Sequence, residues 1–194
     1  HIRDYGSQGV VDTIKYCEEN NIDTVGAGGN LQEAAKPFIL NREGQSFAIL
    51  NFSEQEYNTA TKDIAGSNPD DEIHIWRSLE KLKEKHNIII VIMHGGKEMH
   101  PYPTPEQMKL YRFIIDIGAD IVVGHHSHVI GGYEFYNNKP IIYSLGNFIF
   151  DEEGNEDAWY KGAIAEVEFS DKEIIMPIFQ CMIKCINGVI GRPS

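Results

Sequence analysis

The chain is 194 residues long, 42% hydrophobic, with a formal charge of -12 and a pI near 5.0. That length can bury a sizeable core and favours one domain, while the acidic balance argues against a nucleic-acid groove, which needs clustered lysine and arginine. No apolar run approaches the roughly 20 residues that span a bilayer, none has the form of a signal peptide, and Cys17, Cys181 and Cys185 read as small buried hydrophobes because they contain no Cys-x-x-Cys pair.

From the N-terminus, Ser7 is placed to cap a helix whose apolar positions Val10, Val11, Ile14 and Cys17 share a face, ending near Asn20-Asn21. Ile22–Val25 reads as a short strand running into Gly26–Gly29, and Asn30 with Glu33 has the form of a capping box for one helical turn. Phe38–Leu40 and Phe47–Leu50 flank Arg42–Gln45 as a hairpin. Residues 53–70 are polar, contain Gly66 and Pro69, and read as a surface loop. Asp70-Asp71 opens a second helix, with Ile73, Trp76, Leu79 and Leu82 at helical spacing and an end near His86.

Ile88–Met93 is the continuous apolar run of a strand buried on both faces. Thr104-Pro105-Glu106 starts a helix with proline at the first helical position; it carries Met108, Tyr111, Ile114 and Ile115 and stops at Gly118. Asp120–Gly124 is the next buried strand. Strand, helix and strand at this spacing form a βαβ unit with parallel strands. Tyr133–Tyr136 and Pro140–Leu145 follow as an antiparallel pair around Asn137-Asn138, and Ala163–Phe169 pairs with Glu173–Met182 about Ser170-Asp171. The elements specify an α/β chain of mixed parallel and antiparallel strands with flanking helices, in one domain over residues 1–194.

The βαβ reading has a chemical consequence. His94 follows its first strand, and His125, His126 and His128 follow its second, so both groups fall at the carboxyl edge of one sheet, where α/β proteins build ligand sites. Imidazole keeps a lone pair free near neutral pH and is the commonest metal ligand. A lone histidine behind a strand is ordinarily structural, but a cluster with a fourth converging on it points to a metal. In an extended segment His126 and His128 point together and His125 points away, with carboxylates from elsewhere completing the shell. His74 and His86, on or at the end of a surface helix, read as structural. His100, in Lys97-Glu-Met-His-Pro101, is either structural or a substrate contact. Asn147, in Ser144-Leu-Gly-Asn-Phe148, either orients a ligand or is a turn asparagine.

His94-Gly-Gly, Gly118–Val129 and Tyr143–Phe148, in this order, resemble the CapA-type proteins of poly-γ-glutamate capsule biosynthesis, a family built on the calcineurin-like metallophosphoesterase fold. His1-Ile-Arg-Asp-Tyr-Gly6 and Val25–Leu31 extend the similarity, which runs from residue 1 to about 150. The resemblance implies a layered sheet sandwich with flanking helices. It also implies two divalent metal ions (Mn, Zn or Fe) on His94 and two of the Gly124–His128 histidines. His1 would match the histidine near the scissile phosphate, with Asp4 orienting it. The doubled histidine leaves two registers open: His126 with His128 by alternation, or His125, which follows the glycine as the first ligand does in the wider superfamily. The family's Gly-Asp and Asn-Leu-Glu motifs, and the asparagine beside His1, would precede His1. About 60–100 further residues upstream are therefore expected, which makes this chain the C-terminal portion of a larger domain.

The activity implied is two-metal phosphoester hydrolysis, with an activated water attacking phosphorus in line and His1 protonating the leaving oxygen or bonding a non-bridging one. The alternative is a non-catalytic metal-binding subunit or scaffold of a capsule-polymer machine; a nuclease of the same superfamily is disfavoured by the charge. The implied partners are a phosphorylated or polyanionic envelope substrate and other capsule-synthesis subunits, with no nucleic acid and no membrane span in this chain. The implied location is extracytoplasmic or membrane-associated in a bacterium, any anchor lying upstream of His1, with a cytoplasmic location left open.

Overall fold

The computed structural model describes the chain except residues 56, 87, 149, 151–153, 155–156, 171–172, 187–188 and 192–194, with side chains described as far as Phe169. The architecture is α/β, mixing parallel and antiparallel strands with flanking helices. Its contacts divide into two units, His1–His94 with Asp116–Asp120, and Gly95–Ile115 with Ile121–Ser194.

The first unit holds α1 (Gly6–Glu19), β1 (Ala27–Gly28), α2 (Leu31–Ala34), β2 (Phe38–Arg42), β3 (Gln45–Ser53), β4 (Gly66–Ser67), α3 (Glu72–Glu80) and β5 (Ile88–His94). Tyr5, not Ser7, occupies the N-cap of α1 and makes no side-chain cap bond. The chain is already wound at that point, since Asp4 N donates to His1 O at 3.1 Å and Gly6 N to Arg3 O at 2.7 Å, so Ser7 falls inside the first turn. The capping box of α2 forms as expected, Asn30 Oδ1 accepting from Glu33 N at 3.0 Å and Glu33 Oε2 accepting from Gly29 N at 2.9 Å. Glu43 and Gly44 take φ of 52° and 79°, the paired left-handed conformation of a tight hairpin turn, and β2 runs antiparallel to β3 from Phe38↔Ile49 to Arg42↔Gln45.

Two expectations fail here for a shared reason. The strand expected at Ile22–Val25 forms instead at Ala27–Gly28, and the expected surface loop contains its partner, β4, with Ala27 opposite Ser67. Ile22 is exposed, so its apolar character finds no core, whereas Ala65, Ser67 and Asn68 are buried. Buried backbone must be hydrogen-bonded, and pairing with β1, together with Asn68 N donating to Gly26 O at 2.8 Å, meets that demand. Polar composition alone does not reveal it.

In α3, Asp71 Oδ1 accepts from His74 N at 2.8 Å. The helix buries Ile75 and Leu79 while Ile73 and Trp76 are 60% and 45% exposed. Of the expected stripe, Leu79 and Leu82 are buried, whereas Ile75 takes the place of Ile73 and Trp76 toward the core, and the helix ends at Glu80, short of His86. β5 runs parallel to β3 from Phe47↔Ile88 to Ser53↔His94. Leu50, Phe52 and Val91 are buried along that pair, each contributing about 1.5–3 kcal/mol relative to exposure.

The second unit holds α4 (Pro105–Asp116), β6 (Ile121–His125), β7 (Tyr133–Tyr136), β8 (Lys139–Ile142), a 3-10 turn (Asp157–Tyr160), β9 (Lys161–Ser170), β10 (Glu173–Ile186) and β11 (Val189–Gly191). Thr104 Oγ1 accepts from Gln107 N at 3.2 Å at the start of α4, which buries Tyr111, Ile114 and Ile115. β6 is parallel to β8, with Val122 opposite Ile141. β7 returns antiparallel on β8 through Asn137 and Asn138, both at left-handed φ, 50° and 61°. β10 pairs antiparallel with β9 and β11.

A polar clamp ties α4 to β7. Arg112 Nε and Nη2 donate to Glu134 Oε1 and Oε2 at 2.9 and 2.7 Å, and Tyr143 Oη donates to Glu134 Oε1 at 2.6 Å. The Tyr111 and Tyr143 rings stack at 5.5 Å. Arg112 holds the Glu134 carboxyl below its ordinary range, and burial followed by the carboxylate pushes the Tyr143 phenol up. Cys17 is free and half-buried, while Cys181 and Cys185 lie beyond the described side chains. Among the described residues no helix is long and apolar enough to cross a membrane.

Candidate metal centre

β6 ends at His125, and residues 126–129 then bend rather than extend. His126 and His128 take φ of 105° and 59°, a region that side-chain-bearing residues occupy at a cost of about 1–3 kcal/mol each and that concentrates at functional sites. The two imidazoles do come together, with ring centroids 6.0 Å apart, but through this bend and not through the strand alternation expected of them. Met99 N donates to Ser127 O at 2.8 Å and Ser127 Oγ to Val129 O at 2.9 Å, which ties the bend to the loop after residue 95. That loop carries Glu98, whose Oε1 lies 3.8 Å from His126 Nε2. Glu98, His126 and His128 offer ligand atoms that all lie within 4.8 Å of one another.

The setting of His128 selects which nitrogen is available. Its Nδ1 lies 2.9 Å from Asn147 Oδ1, and Asn147 Nδ2 donates to Trp159 O at 2.9 Å. The second bond fixes the amide's sense, so Oδ1 accepts and His128 Nδ1 carries the proton. The lone pair is then on Nε2, the tautomer that a metal-binding histidine with an outer hydrogen-bond partner adopts. Trp159 and Phe150 pack on the ring at 4.7 and 4.9 Å. Asn147 reaches this position because Gly146 takes φ +71° and passes so close to β9 that a Cβ would lie 2.5 Å from Lys161 O. Two imidazoles and a carboxylate, one imidazole held by an outer partner, suit a divalent cation such as Zn²⁺.

The other sequence candidates are not among these three grouped donors. His125 closes β6 and is outside the three-donor cluster; burial pushes its imidazole pKa down, favouring the neutral ring. His94 is the exposed last residue of β5 in the first unit and is also outside that cluster. His1 Nδ1 lies 2.8 Å from Asp4 Oδ2, and Tyr57 Oη donates to Asp4 Oδ1 at 3.3 Å, so the expected histidine–carboxylate pair is formed. His100 is exposed, sits edge-on to Tyr102 at 6.2 Å, and lines a small cleft with Lys97, Gln107, Ser127 and Ser144. His74 and His86 are structural as read, bonded to Asn68 and Ser46 at 2.7 Å each. Glu98 went unidentified in the sequence, although it lies between His94 and His100.

Residues 1–152 match the family described as Bacterial capsule synthesis protein PGA_cap. The chain is 38% identical over 158 residues to Capsule biosynthesis protein CapA of Bacillus anthracis, covering 78% of this chain and 38% of that protein. It is 38% identical over 155 residues to PGA biosynthesis protein CapA of Bacillus subtilis, covering 78% and 41%. A Mycobacterium tuberculosis protein described as a probable polyglutamine synthesis accessory protein is 28% identical over 167 residues, covering 79% and 44%. The chain thus spans about two fifths of the length of these curated relatives. A crystal structure of a hypothetical protein from Thermus thermophilus superimposes with a TM-score of 0.51 at 13% identity, over 77% of this chain and 62% of that one, a likeness of fold.

Proposed function

Because the chain belongs to the bacterial capsule synthesis family described as PGA_cap, we propose that it serves envelope-polymer synthesis as a divalent-metal-dependent phosphoester hydrolase. The observation that carries this reading is the Glu98, His126 and His128 cluster, with His128 oriented through Asn147. These three residues would hold a cation, Mn, Zn or Fe. When bound, it supplies Lewis-acid polarisation of a phosphoryl oxygen and offsets the charge that develops there. Lys97 and His100, on the cleft that also contains Ser127, would bind and orient the anionic group. His1, its Nδ1 proton directed to Asp4, is the candidate proton donor to the leaving oxygen.

The substrate class is a phosphorylated or polyanionic envelope component, the setting is the bacterial envelope, and other capsule-synthesis subunits are the expected partners. A second reading, a non-catalytic metal-binding subunit, is favoured by the word accessory in the description of the mycobacterial relative. Turnover of an aryl phosphate by the chain loaded with Mn²⁺ or Zn²⁺ separates the two. Hydrolysis by wild type that disappears in His128→Ala supports the enzyme. Background rates in both, with metal bound to wild type, support the subunit.

A further inference from the structure

The first unit contains a cleft of about 720 Å³ bordered by α2, α3 and β3, none of whose lining residues belongs to the histidine centre. Lys36 just after α2, Lys62 before β4, and Arg77 and Lys81 one turn apart at the end of α3 line it. No aspartate or glutamate does, although the chain has 29 acidic residues against 17 lysines and arginines. All four cations are exposed, and among the described residues none makes an ion pair or a side-chain hydrogen bond. Flanking acids are engaged elsewhere: Glu33 with Gly29 and Asn30, Asp71 with the His74 amide, Glu80 with Lys83. His74 also lines the cleft; burial lowers its pKa, Asp71 opposes that, and Lys81 and Arg77 lower it further, so the fields of both cations reach the wall. Positive charge is thus gathered into one concavity on a protein of strongly negative net charge, which draws anions to that point.

The wall chemistry narrows the class. The cations come from three separate segments and share one space, which suits negative charge packed into a compact group. Lysine serves such a group as a point charge, and Arg77 adds a planar fork that matches phosphate oxygens. Leu31, Pro37, Leu50 and Leu82 give the same cleft an apolar wall, which a bare phosphate would leave unused, and the volume is that of a site for a small organic molecule. The Gln32 amide, also on the wall, offers a donor and an acceptor to the edge of a base. A nucleotide joins these features, with compact charge, a ring of apolar faces and a polar edge. We propose that this cleft binds a nucleoside di- or triphosphate, its phosphates among Lys36, Lys62, Arg77 and Lys81 and its base against the leucines. The acidic balance that argues against a nucleic-acid strand does not oppose this, because a single nucleotide needs only a local patch of positive charge. The proposal rests on residues 30–82 and is independent of whether the histidine centre is catalytic.

The test is fluorescence anisotropy of ribose-labelled ATP and GTP titrated with the chain in metal-free buffer. Wild type is expected to bind at least one of them saturably, with the unlabelled nucleotide competing fully, inorganic tripolyphosphate more weakly and the free nucleoside not at all. Arg77→Gln with Lys81→Gln is expected to weaken binding about tenfold, two exposed charge contacts being removed. Lys36→Gln with Lys62→Gln, on other parts of the wall, is expected to do the same and covers the case in which the α3 variant misfolds. Lys15→Gln with Lys109→Gln changes net charge equally outside the cleft, and His128→Ala alters the histidine centre; both are expected to leave binding intact. Absence of saturable binding of either nucleotide, wild-type affinity in both cleft pairs, or equal loss in the control pair would each overturn the assignment. So would loss in His128→Ala, which would move binding to the histidine centre, or tripolyphosphate competing as well as the nucleotide.

Discussion

Asn147 Oδ1 accepts a hydrogen bond from His128 Nδ1 at 2.9 Å while its own amide donates to Trp159 O at the same distance. Asn147 touches no ligand atom, yet it decides which nitrogen of His128 faces the donor cluster. Outer hydrogen-bond partners of this kind typically govern metal affinity by 10–100-fold. Asn147→Ala is therefore expected to weaken Zn²⁺ binding by about that factor in a competitive chelator titration, and Asn147→Asp, which keeps an acceptor, to retain most of it. Wild-type affinity in Asn147→Ala would remove the positioning role.

The donor set makes a second expectation specific. His126→Ala, His128→Ala and Glu98→Gln should each deplete bound metal, because the three ligand atoms lie within 4.8 Å of one another. His125→Ala and His74→Ala should not, the first being outside that cluster and the second bonded to Asn68. A smaller loss is expected from His94→Ala than from His128→Ala. Elemental analysis of the purified variants gives the answer, and a greater loss from His125→Ala than from His126→Ala would reverse the register.

Much of the fold was legible where the local signal and the tertiary demand coincide. Asn30 with Glu33, Thr104-Pro105 and Asn137-Asn138 each satisfy their own backbone, so their elements form where the sequence places them. β4 was hidden because its reason to exist is a partner far away along the chain, Gly28 opposite Gly66 being invisible to any local pattern. The phase of α3 was equally open, since Ile73-Trp76 and Ile75-Leu79 both fit a helical period and only packing chooses between them. At the site, the histidines stood out by type, but the left-handed φ of His126 and His128 contradicts their local preference. Glu98 joins them through a loop contact, Met99 N to Ser127 O, that spacing does not encode.

The His1–Asp4 pair supports a prediction that separates chemistry from binding. A positioned proton donor is typically worth ~10²–10⁴-fold, so His1→Ala should lower the rate at saturating substrate by about that much while metal content stays unchanged. Asp4→Asn, which removes the carboxylate 2.8 Å from His1 Nδ1, should act in the same direction and less severely. A parallel loss of metal in His1→Ala would make it a ligand and not a proton donor.

The Arg112–Glu134–Tyr143 clamp predicts a pH-dependent stability. Glu134 is lowered from its ordinary value near 4.5, chiefly by the Arg112 hydrogen bonds and further by the Tyr143 hydroxyl. A carboxyl with a depressed folded-state pKa contributes stability that is fully present above the unfolded value and is lost as pH falls through the folded value. Tyr143→Phe removes a 2.6 Å bond to that carboxylate without changing the buried ring. Bonds to charged groups contribute about 1.5–3 kcal/mol, so urea denaturation at neutral pH should show a deficit of about that size relative to wild type. Repeating the comparison under acidic conditions, where Glu134 is protonated, should shrink the deficit because the hydroxyl then faces a neutral acceptor. An equal deficit at both pH values would mean that the hydroxyl stabilises this unit independently of the Glu134 charge, and no deficit at either would leave only the ring stacked on Tyr111.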